Sequence, residues 1–332
     1  MKSAITEMDA RRFVVNVIRM IRPDYWPKNL FVLIGSALAV FYLEETAHIP
    51  LAISHVGAMA CAAVCVAVLT ASANYIINEL CDAATDVYHP SKKLRPIASG
   101  EVSRTLALCL WTVFAVAGLG TSALINKMVV LTTGAFLVSG LLYNVRPVRL
   151  KDVPYIDIVS ESFNNPIRLF LGWFAIFDSR VPPLSVISAY WMGGAFLMAA
   201  KRLVEIEQLG SVARAGQYRK SLAYYTKENI ILQMFFYATM TAFLLGVFIA
   251  RYRVELVIII PLLAASFTRY VKAAISPAIP GEPESLYKEK ALAVLLGFSL
   301  FLGVTLLFVK LDFMRRMLNI QEPALPSLWP TS

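Results

Sequence analysis

The chain has 332 residues, of which 58% are hydrophobic and only 16% are charged, and its mean hydropathy is +0.63. This composition excludes an ordinary water-soluble protein and indicates an integral membrane protein. The net charge of +9 does not indicate nucleic-acid binding, because the cations are spread over several segments between apolar runs. The lipid bilayer, anionic headgroups and phosphorylated substrates are the expected partners.

The first 28 residues form a basic segment without the apolar core of a cleavable signal peptide. We predict a cytoplasmic amphipathic segment here, with Tyr25 and Trp26 at headgroup level. Nine apolar windows beyond it are long enough to cross a bilayer of about 30 Å. They predict an all-α integral membrane protein of about nine transmembrane helices in one domain at 29–311, followed by a C-terminal tail at 312–332. The windows lie near 29–47, 52–79, 104–124, 128–145, 155–178, 184–203, 229–250, 254–272 and 290–311.

The distribution of lysine and arginine predicts how these helices are oriented in the membrane, because short cytoplasmic loops carry an excess of both residues. Of the 31 lysines and arginines, 23 fall on one side of the predicted helices. We therefore predict a multi-pass protein of the cell (inner) membrane, with its N-terminus in the cytoplasm and its C-terminus outside. Lys310, Arg315 and Arg316 run against this pattern. The cation-rich segments are the N-terminal one and those around 81–104, 146–151, 201–227 and 269–290.

Polar residues interrupt the end of the second window, where Asn78, Asp82 and Asp86 follow one another at intervals of four. This spacing places them on one face of a helix, and the two carboxylates repel each other unless a cation lies between them. Ligation by a few oxygens suits Mg²⁺, which keeps several waters and takes further ligands from a substrate phosphate. We predict that these three residues bind Mg²⁺ and form the catalytic centre, against the alternative of a solvated helix end.

A basic run, HPSKKLRP, follows at residues 89–96. Pro90 ends the helix. Arg95 is suited to hold a phosphate through two parallel hydrogen bonds, and Lys92 to act as a mobile point charge. The alternative is that these cations only mark the cytoplasmic side. His89 is either a donor to phosphate or a local structural contact.

Three further polar groups lie at or inside later windows, where charged side chains are costly and often functional. Tyr143 is either a substrate contact or part of an interfacial aromatic belt. Glu161 and Arg168 form either a structural ion pair or part of the site. The third group precedes a long loop that either covers the site or lies as a solvated helix on the bilayer. It consists of Lys201, Arg202 and Glu205, and the loop carries Arg214, Tyr218, Arg219, Lys220, Ser221 and Tyr225.

Several common catalytic motifs are absent from the sequence. It contains no GxxxxGK[ST], GxGxxG, HExxH or GxSxG, which argues against a nucleotide-hydrolysing motor, a dinucleotide enzyme, a zinc protease and a typical serine hydrolase. The four cysteines lack CxxC spacing and indicate neither a disulfide framework nor a zinc site.

The NxxxDxxxD pattern on the second of nine helices, with a basic loop after it, resembles the UbiA superfamily of intramembrane prenyltransferases. The chain is most similar to the decaprenyl-phosphate phosphoribosyltransferase branch, through RPDYWPKN at 22–29, HPSKKLRPIASG at 89–100, the Lys201–Arg202 pair with Glu205, and RKSLAYYT at 219–226. The resemblance implies helices around a central cavity, a cytoplasmic polar cap and a lateral opening for the lipid tail. The substrate-binding residues that we predict are Lys28, Lys92, Arg95, Tyr143, Lys201, Arg202 and Glu205.

The chain departs from the family pattern in three places. Glu79 stands where the family has an aspartate, which leaves open whether it reaches the metal. The segment ESFNNPIR at 161–168 is not the pattern of the phosphoribosyl branch, and KRLVEIEQ at 201–208 replaces the second aspartate-rich motif of the aromatic prenyltransferases. One acidic cluster beside a basic wall suits a diphosphate donor and a separate phosphate acceptor.

We therefore predict a Mg²⁺-dependent transferase that moves phosphoribose from phosphoribosyl diphosphate to a polyprenyl phosphate. The first alternative is transfer of a polyprenyl chain from a prenyl diphosphate to an aromatic or other small acceptor. The second is a transporter or lipid flippase whose acids relay cations, which the lack of an obvious inverted repeat disfavours.

Overall fold

A computed structural model describes residues 2–47, 52–210, 212–275 and 289–317, and all regular structure in these ranges is helical. Short 3₁₀ helices at Pro23–Phe31, Lys92–Leu94, Leu150–Asp152, Lys220–Tyr224 and Val254–Ile259 lie between or lead into the α-helices. The α-helices are α1 (Lys2–Ile21), α2 (Val32–Tyr42), α3 (Ile53–Asp86), α4 (Arg104–Ala123), α5 (Lys127–Asn144), α6 (Ile156–Ser162), α7 (Asn164–Ile176), α8 (Leu184–Leu209), α9 (Val212–Tyr218), α10 (Lys227–Tyr252), α11 (Ile260–Ile275), α12 (Lys290–Phe308) and α13 (Asp312–Met317).

Eight helical segments in the described ranges are long and apolar enough to cross a membrane. The expected all-α membrane fold with about nine crossings is thus confirmed. The predicted fifth window, 155–178, is divided between α6 and α7, which meet at Phe163. Pro166 lies in the first turn of α7, where its missing N–H is tolerated, but it cannot continue the hydrogen bonding of α6. Residues 318–332 of the predicted tail and 276–288 of a predicted cytoplasmic segment lie outside the described residues.

Helices α2 and α7 approach each other closely through two glycines. Gly35 lies against the carbonyl of Leu169, and Gly172 lies against the carbonyl of Val32. A Cβ atom added at Gly172 would be only 1.9 Å from the Val32 oxygen, so neither helix has room for a larger residue here. Small residues at such crossings allow membrane helices to pack through their backbones. This pair anchors an apolar core that includes Phe136.

A second apolar cluster lies under the connection between α8 and α10. Ala215 and Tyr218 of α9, and Leu222 of the following 3₁₀ helix, are buried against side chains of α8 and α10. Tyr225 is also buried there, one residue before Thr226 caps the N-terminus of α10. The connection is therefore packed onto the bundle, rather than lying as a solvated helix on the bilayer.

The contact between α2 and α7 generates a stability prediction. We expect Gly172→Ala to lower the thermal unfolding temperature of the purified protein strongly, because the new methyl group forces the two backbones apart. Gly134→Ala on α5 is the matched control, since a Cβ atom there meets no neighbouring atom within 4 Å. Equal unfolding temperatures for the two variants in detergent would contradict the packing described here.

Candidate active site

Three acids lie on the last turns of α3, where Glu79, Asp82 and Asp86 are all buried. Positions three and seven residues beyond Glu79 return to the same helix face. Asn78, the third residue of the predicted metal set, donates from Nδ2 to Oδ1 of Asn144 on α5 at 2.6 Å. The carboxylates of this face are the acidic wall of the site.

Asp82 is held by two cations from the segment that follows α5. Its Oδ1 accepts hydrogen bonds from Arg149 Nη2 at 2.9 Å and from Lys151 Nζ at 2.5 Å. Lys151 also donates to Oδ1 of Asn144 at 2.7 Å, which links it to Asn78. Arg149 has a left-handed backbone conformation with φ of 34°, which is uncommon for a residue other than glycine. Burial lowers the pKa of Lys151 to about 8, although Asp82 opposes this shift.

Asp86 and Glu79 each have one oxygen in use and one without a partner. Arg95 Nη1 donates to Oδ2 of Asp86 at 2.7 Å, and the backbone N–H of Ile97 donates to Oε1 of Glu79 at 3.0 Å. Oδ1 of Asp86 and Oε2 of Glu79 are buried and have no hydrogen-bond partner. Buried carboxylate oxygens are costly unless they are paired or coordinate a metal.

Carboxylate oxygens without partners are the ligand type that Mg²⁺ prefers in proteins. Both hydrogen bonds to Asp82 fall on its Oδ1, while Asp86 and Glu79 supply the two unpartnered oxygens. Within the described residues no group of three His, Cys, Asp or Glu side chains is arranged as a complete metal site. A cation on this face would thus complete its coordination with water and substrate phosphate, as Mg²⁺ does in proteins.

A second charged layer surrounds Arg202 of α8. This fully buried guanidinium donates from Nε to Oδ2 of Asp157 at 2.8 Å, from Nη1 to Oε2 of Glu205 at 2.6 Å and from Nη2 to the hydroxyl of Tyr143 at 3.0 Å. Tyr143 is itself buried, so it belongs to this layer rather than to an interfacial aromatic belt.

Asp157, at the start of α6, ties the same layer to the α8–α10 connection. It accepts hydrogen bonds from the hydroxyl of Tyr225 and from Oγ of Ser221, the latter at 3.3 Å, in addition to the bond from Arg202. The single hydroxyl proton of Ser221 is shared between Asp157 and the carbonyl of Lys151, which is the nearer acceptor at 2.9 Å. The connection therefore covers the charged groups, as one of the two sequence-based alternatives predicted.

The basic run after α3 approaches this layer through Lys92. Its Nζ donates to Oε1 of Glu205 at 3.1 Å and to the hydroxyl of Tyr218 at 2.6 Å. Arg219 follows Tyr218 in the chain and donates from Nη1 to the hydroxyl of Tyr143 at 3.2 Å. Glu205 thus lies between two cations, Lys92 and Arg202.

The structure unites most of the predicted site residues in one network and places Lys28 and Arg168 in other surroundings. Lys28 Nζ lies 4.4 Å from the centre of the Tyr25 ring. Arg168 donates to Oδ1 of Asn29 at 3.0 Å and to the carbonyl of Asn164 at 3.2 Å, so the ion pair with Glu161 that one alternative required is not formed. The predicted phosphate and metal roles of the network residues stay predictions. Its predicted members are Asn78, Asp82, Asp86, Lys92, Arg95, Tyr143, Arg202 and Glu205, and Lys201 precedes Arg202 on α8.

Sequence reasoning did not assign roles to Arg149, Lys151 or Asp157. The signal that the sequence offered was their position in one polar stretch that runs from the end of the fourth apolar window to the start of the fifth. However, Arg149 and Lys151 lie 67 and 69 residues from their partner Asp82 in the sequence. Asp157 lies 45 residues from its partner Arg202. Helical spacing carries no information over such separations.

The described residues thus form an all-helical membrane bundle in which buried acids at the end of α3 lie beside a layer of cations. The chain matches the model of the UbiA prenyltransferase family over residues 32–280, and it belongs to that family. It is an integral membrane protein of the UbiA superfamily.

Named relatives agree with this assignment. Decaprenyl-phosphate phosphoribosyltransferase of Mycolicibacterium smegmatis is 29% identical over 227 residues, which cover 66% of this chain and 65% of the relative. The enzyme of that name from Mycobacterium tuberculosis is 28% identical over 236 residues, or 69% of this chain and 72% of the relative. This chain therefore matches slightly less than two thirds of the M. smegmatis protein.

Solved structures show the same fold. A UbiA homolog from Archaeoglobus fulgidus, bound to DMAPP and Mg²⁺, superposes with a TM-score of 0.64 at 19% identity, covering 89% of this chain and 100% of the homolog. A structure concerning digeranylgeranylglyceryl phosphate synthase superposes with a TM-score of 0.57 at 14% identity, covering 89% of this chain and 98% of that one.

The buried pair between Asp157 and Arg202 generates a second stability prediction. We expect Asp157→Asn to destabilise the protein by about 3–5 kcal/mol, because it leaves the Arg202 guanidinium without one of its buried counter-charges. Asp152→Asn is the control, since its pair with Arg149 is partly exposed and is expected to contribute about 1 kcal/mol or less. Thermal unfolding in detergent measures both, and equal losses would contradict the prediction.

His89 generates a prediction about pH. It is buried, and its burial together with the nearby Lys92 charge lowers its pKa from the ordinary 6.5 to about 4. The unfolded chain therefore takes up a proton at a pH where the folded protein does not. The stability that His89 contributes is present above about pH 6.5 and falls as the pH is lowered toward 4.

We expect the unfolding temperature of the wild type to fall more than that of His89→Gln when the pH is lowered from 7.5 to 5. The exposed His55 supplies the control, because His55→Gln removes a histidine that has no buried contacts to lose. A difference between the wild type and His89→Gln that stays constant across this pH range would mean that His89 is protonated alike in the folded and unfolded chain.

Proposed function

We propose that this protein transfers phosphoribose from phosphoribosyl diphosphate to a polyprenyl phosphate, using Mg²⁺, at the cytoplasmic face of the cell (inner) membrane. The observation that carries the proposal is the buried acid face of α3, with its two unpartnered carboxylate oxygens, directly beside a layer of cations. The names of the two mycobacterial relatives support the same choice. The positive-inside distribution of Lys and Arg supports the orientation.

Asp82 and Asp86 would hold the metal, with Glu79 contributing its second oxygen and Asn78 a neutral one. When bound, Mg²⁺ supplies charge that stabilises the diphosphate as it leaves. Arg95 fixes Asp86, while Arg149 and Lys151 fix Asp82, so the carboxylates are oriented before substrate arrives. The remaining cations of the predicted binding set would contact phosphate oxygens as Lys or Arg does in other phosphate sites.

The bonds of the reaction balance without a further reactant. The bond between C1 of the ribose and the diphosphate oxygen breaks, the diphosphate leaves with the electron pair, and C1 bonds to an oxygen of the lipid phosphate. A phosphate monoester has a second pKa of about 6, so the acceptor is already anionic at neutral pH and needs no general base. A wall of cations is the environment that two anionic substrates require.

Glu205 distinguishes this reaction from prenyl transfer. It occupies the region in which the resemblance leads one to expect a second aspartate-rich motif, yet both of its oxygens accept hydrogen bonds from cations, Lys92 and Arg202. This arrangement supports one metal-binding site rather than two. The alternative, transfer of a prenyl chain to an aromatic or other small acceptor, is supported by the fold shared with homologs bound to DMAPP or GPP.

Turnover by the purified protein in detergent separates the two reactions. We expect labelled ribose phosphate to pass from phosphoribosyl diphosphate to polyprenyl phosphate only when Mg²⁺ is present. Transfer that requires only a prenyl diphosphate and an aromatic acid would reject the first proposal in favour of the second. Substrate-coupled flux in proteoliposomes without either transfer would favour a transporter.

We expect Asp82→Asn and Asp86→Asn to reduce Mg²⁺-dependent transfer by more than about tenfold, and to raise the Mg²⁺ concentration needed for half-maximal rate. Asp152→Asn is the matched control for Asp82, because Asp152 also binds Arg149 but lies off the α3 face. Its activity and its response to Mg²⁺ are expected to equal those of the wild type. Unchanged turnover in Asp82→Asn would remove this residue from the metal site.

A further inference from the structure

Tyr218 of α9 is surrounded by three nitrogen-bearing side chains from two separate segments. The His89 ring packs edge-on at 4.9 Å between ring centres, and Lys92 Nζ lies 4.7 Å from the centre of the tyrosine ring. Arg219 Cζ lies 5.7 Å from the same ring centre. None of these three residues belongs to the acid face of α3.

His89 presents a hydrogen-bond donor that the protein does not use. Its Nδ1 accepts from the backbone N–H groups of Ser91 at 3.3 Å and Lys92 at 3.4 Å, so Nδ1 carries no proton in this geometry. The proton of the neutral ring is then on Nε2. The side chain is only 2% exposed, and Nε2 is buried without a hydrogen-bond partner.

Arg219 differs from the other cations of the site. Lys92, Arg95, Lys151 and Arg202 each contact a carboxylate, as does Arg149. Arg219 forms no salt bridge in the part of the chain that the structure describes, and its one side-chain hydrogen bond there goes to the neutral hydroxyl of Tyr143. Its charge is therefore not matched by an acid in direct contact.

We propose that His89 and Arg219, grouped around Tyr218, form a second anion subsite that takes the phosphate monoester of the lipid acceptor. The inference rests on the proposed function, and it separates the acceptor phosphate from the diphosphate at Asp82 and Asp86. A neutral N–H donor beside a guanidinium binds a phosphate oxygen without a metal. The donor diphosphate, in contrast, requires the carboxylate face and its cation.

The test measures binding of a polyprenyl phosphate to the purified full-length protein in detergent with EDTA, with the matching polyprenol as the uncharged probe. The wild type is expected to bind the phosphate more tightly than the alcohol. Arg219→Met and His89→Phe are each expected to weaken binding of the phosphate by about tenfold and to leave binding of the alcohol unchanged. His89→Gln, which keeps an N–H donor, is expected to retain more of the affinity than His89→Phe.

Lys220→Met is the matched control, because it removes one positive charge from the exposed residue next to Arg219. Its affinity for the polyprenyl phosphate is expected to equal that of the wild type. Thermal unfolding of each variant verifies the fold, and Arg219→Lys provides a second variant that preserves the charge if Arg219→Met does not fold. We expect Arg219→Lys to bind the phosphate with intermediate affinity.

Two results would overturn the subsite. One is an unchanged affinity for polyprenyl phosphate in folded Arg219 and His89 variants. The other is a selective loss of phosphoribosyl diphosphate binding in the presence of Mg²⁺, which would assign these residues to the donor. Failure of the proposed reaction has a different signature: if the wild type transfers no phosphoribose but its binding of polyprenyl phosphate still depends on Arg219, the subsite stands.

Discussion

The need to neutralise buried carboxylates on a membrane helix organises this end of the molecule. Asp82 and Asp86 lie in the last turns of a 34-residue helix, where water does not compensate their charge. Their counter-charges come from elsewhere in the chain: Arg95 from the loop after α3, and Arg149 and Lys151 from the segment after α5. The loop after α3 and the segment after α5 are thereby held over the end of the bundle. Burial of the two acids costs free energy, but their ion pairs determine where these two connections lie.

The layer around Arg202 extends the same principle to the longer connection between α8 and α10. Buried ion pairs contribute little net stability compared with apolar packing, but leaving one member unpaired is expensive. Asp157 accepts hydrogen bonds from Arg202, Ser221 and Tyr225. Its single carboxylate therefore joins α6 and α8 to the connection between α8 and α10. Burial of Leu222 holds the same segment against the bundle by the hydrophobic effect, which is not directional. The charged contacts determine the position in which the segment packs.

The sequence predicted the elements well because apolar length and helical spacing are local properties. The all-α membrane fold and the shared face of Asp82 and Asp86 both follow from patterns within single helices. The division of the fifth window at Phe163 required weighing Pro166 against a continuous apolar run. Contacts such as Lys151 with Asp82, 69 residues apart, depend on how loops return to the bundle, and no periodicity encodes that. The acid face of α3 was thus predictable from the sequence, whereas the pairing of its acids with cations of the covering segments was not.

Because Arg95 is already bound to Asp86, an anion that binds Arg95 replaces an existing ion pair with a new one. A phosphate that recruits Arg95 must compete with the Asp86 carboxylate that is already in contact with it. The net free energy of binding is then the difference between two similar electrostatic interactions, rather than the full strength of either. Such competition moderates the affinity of this guanidinium for every anion alike.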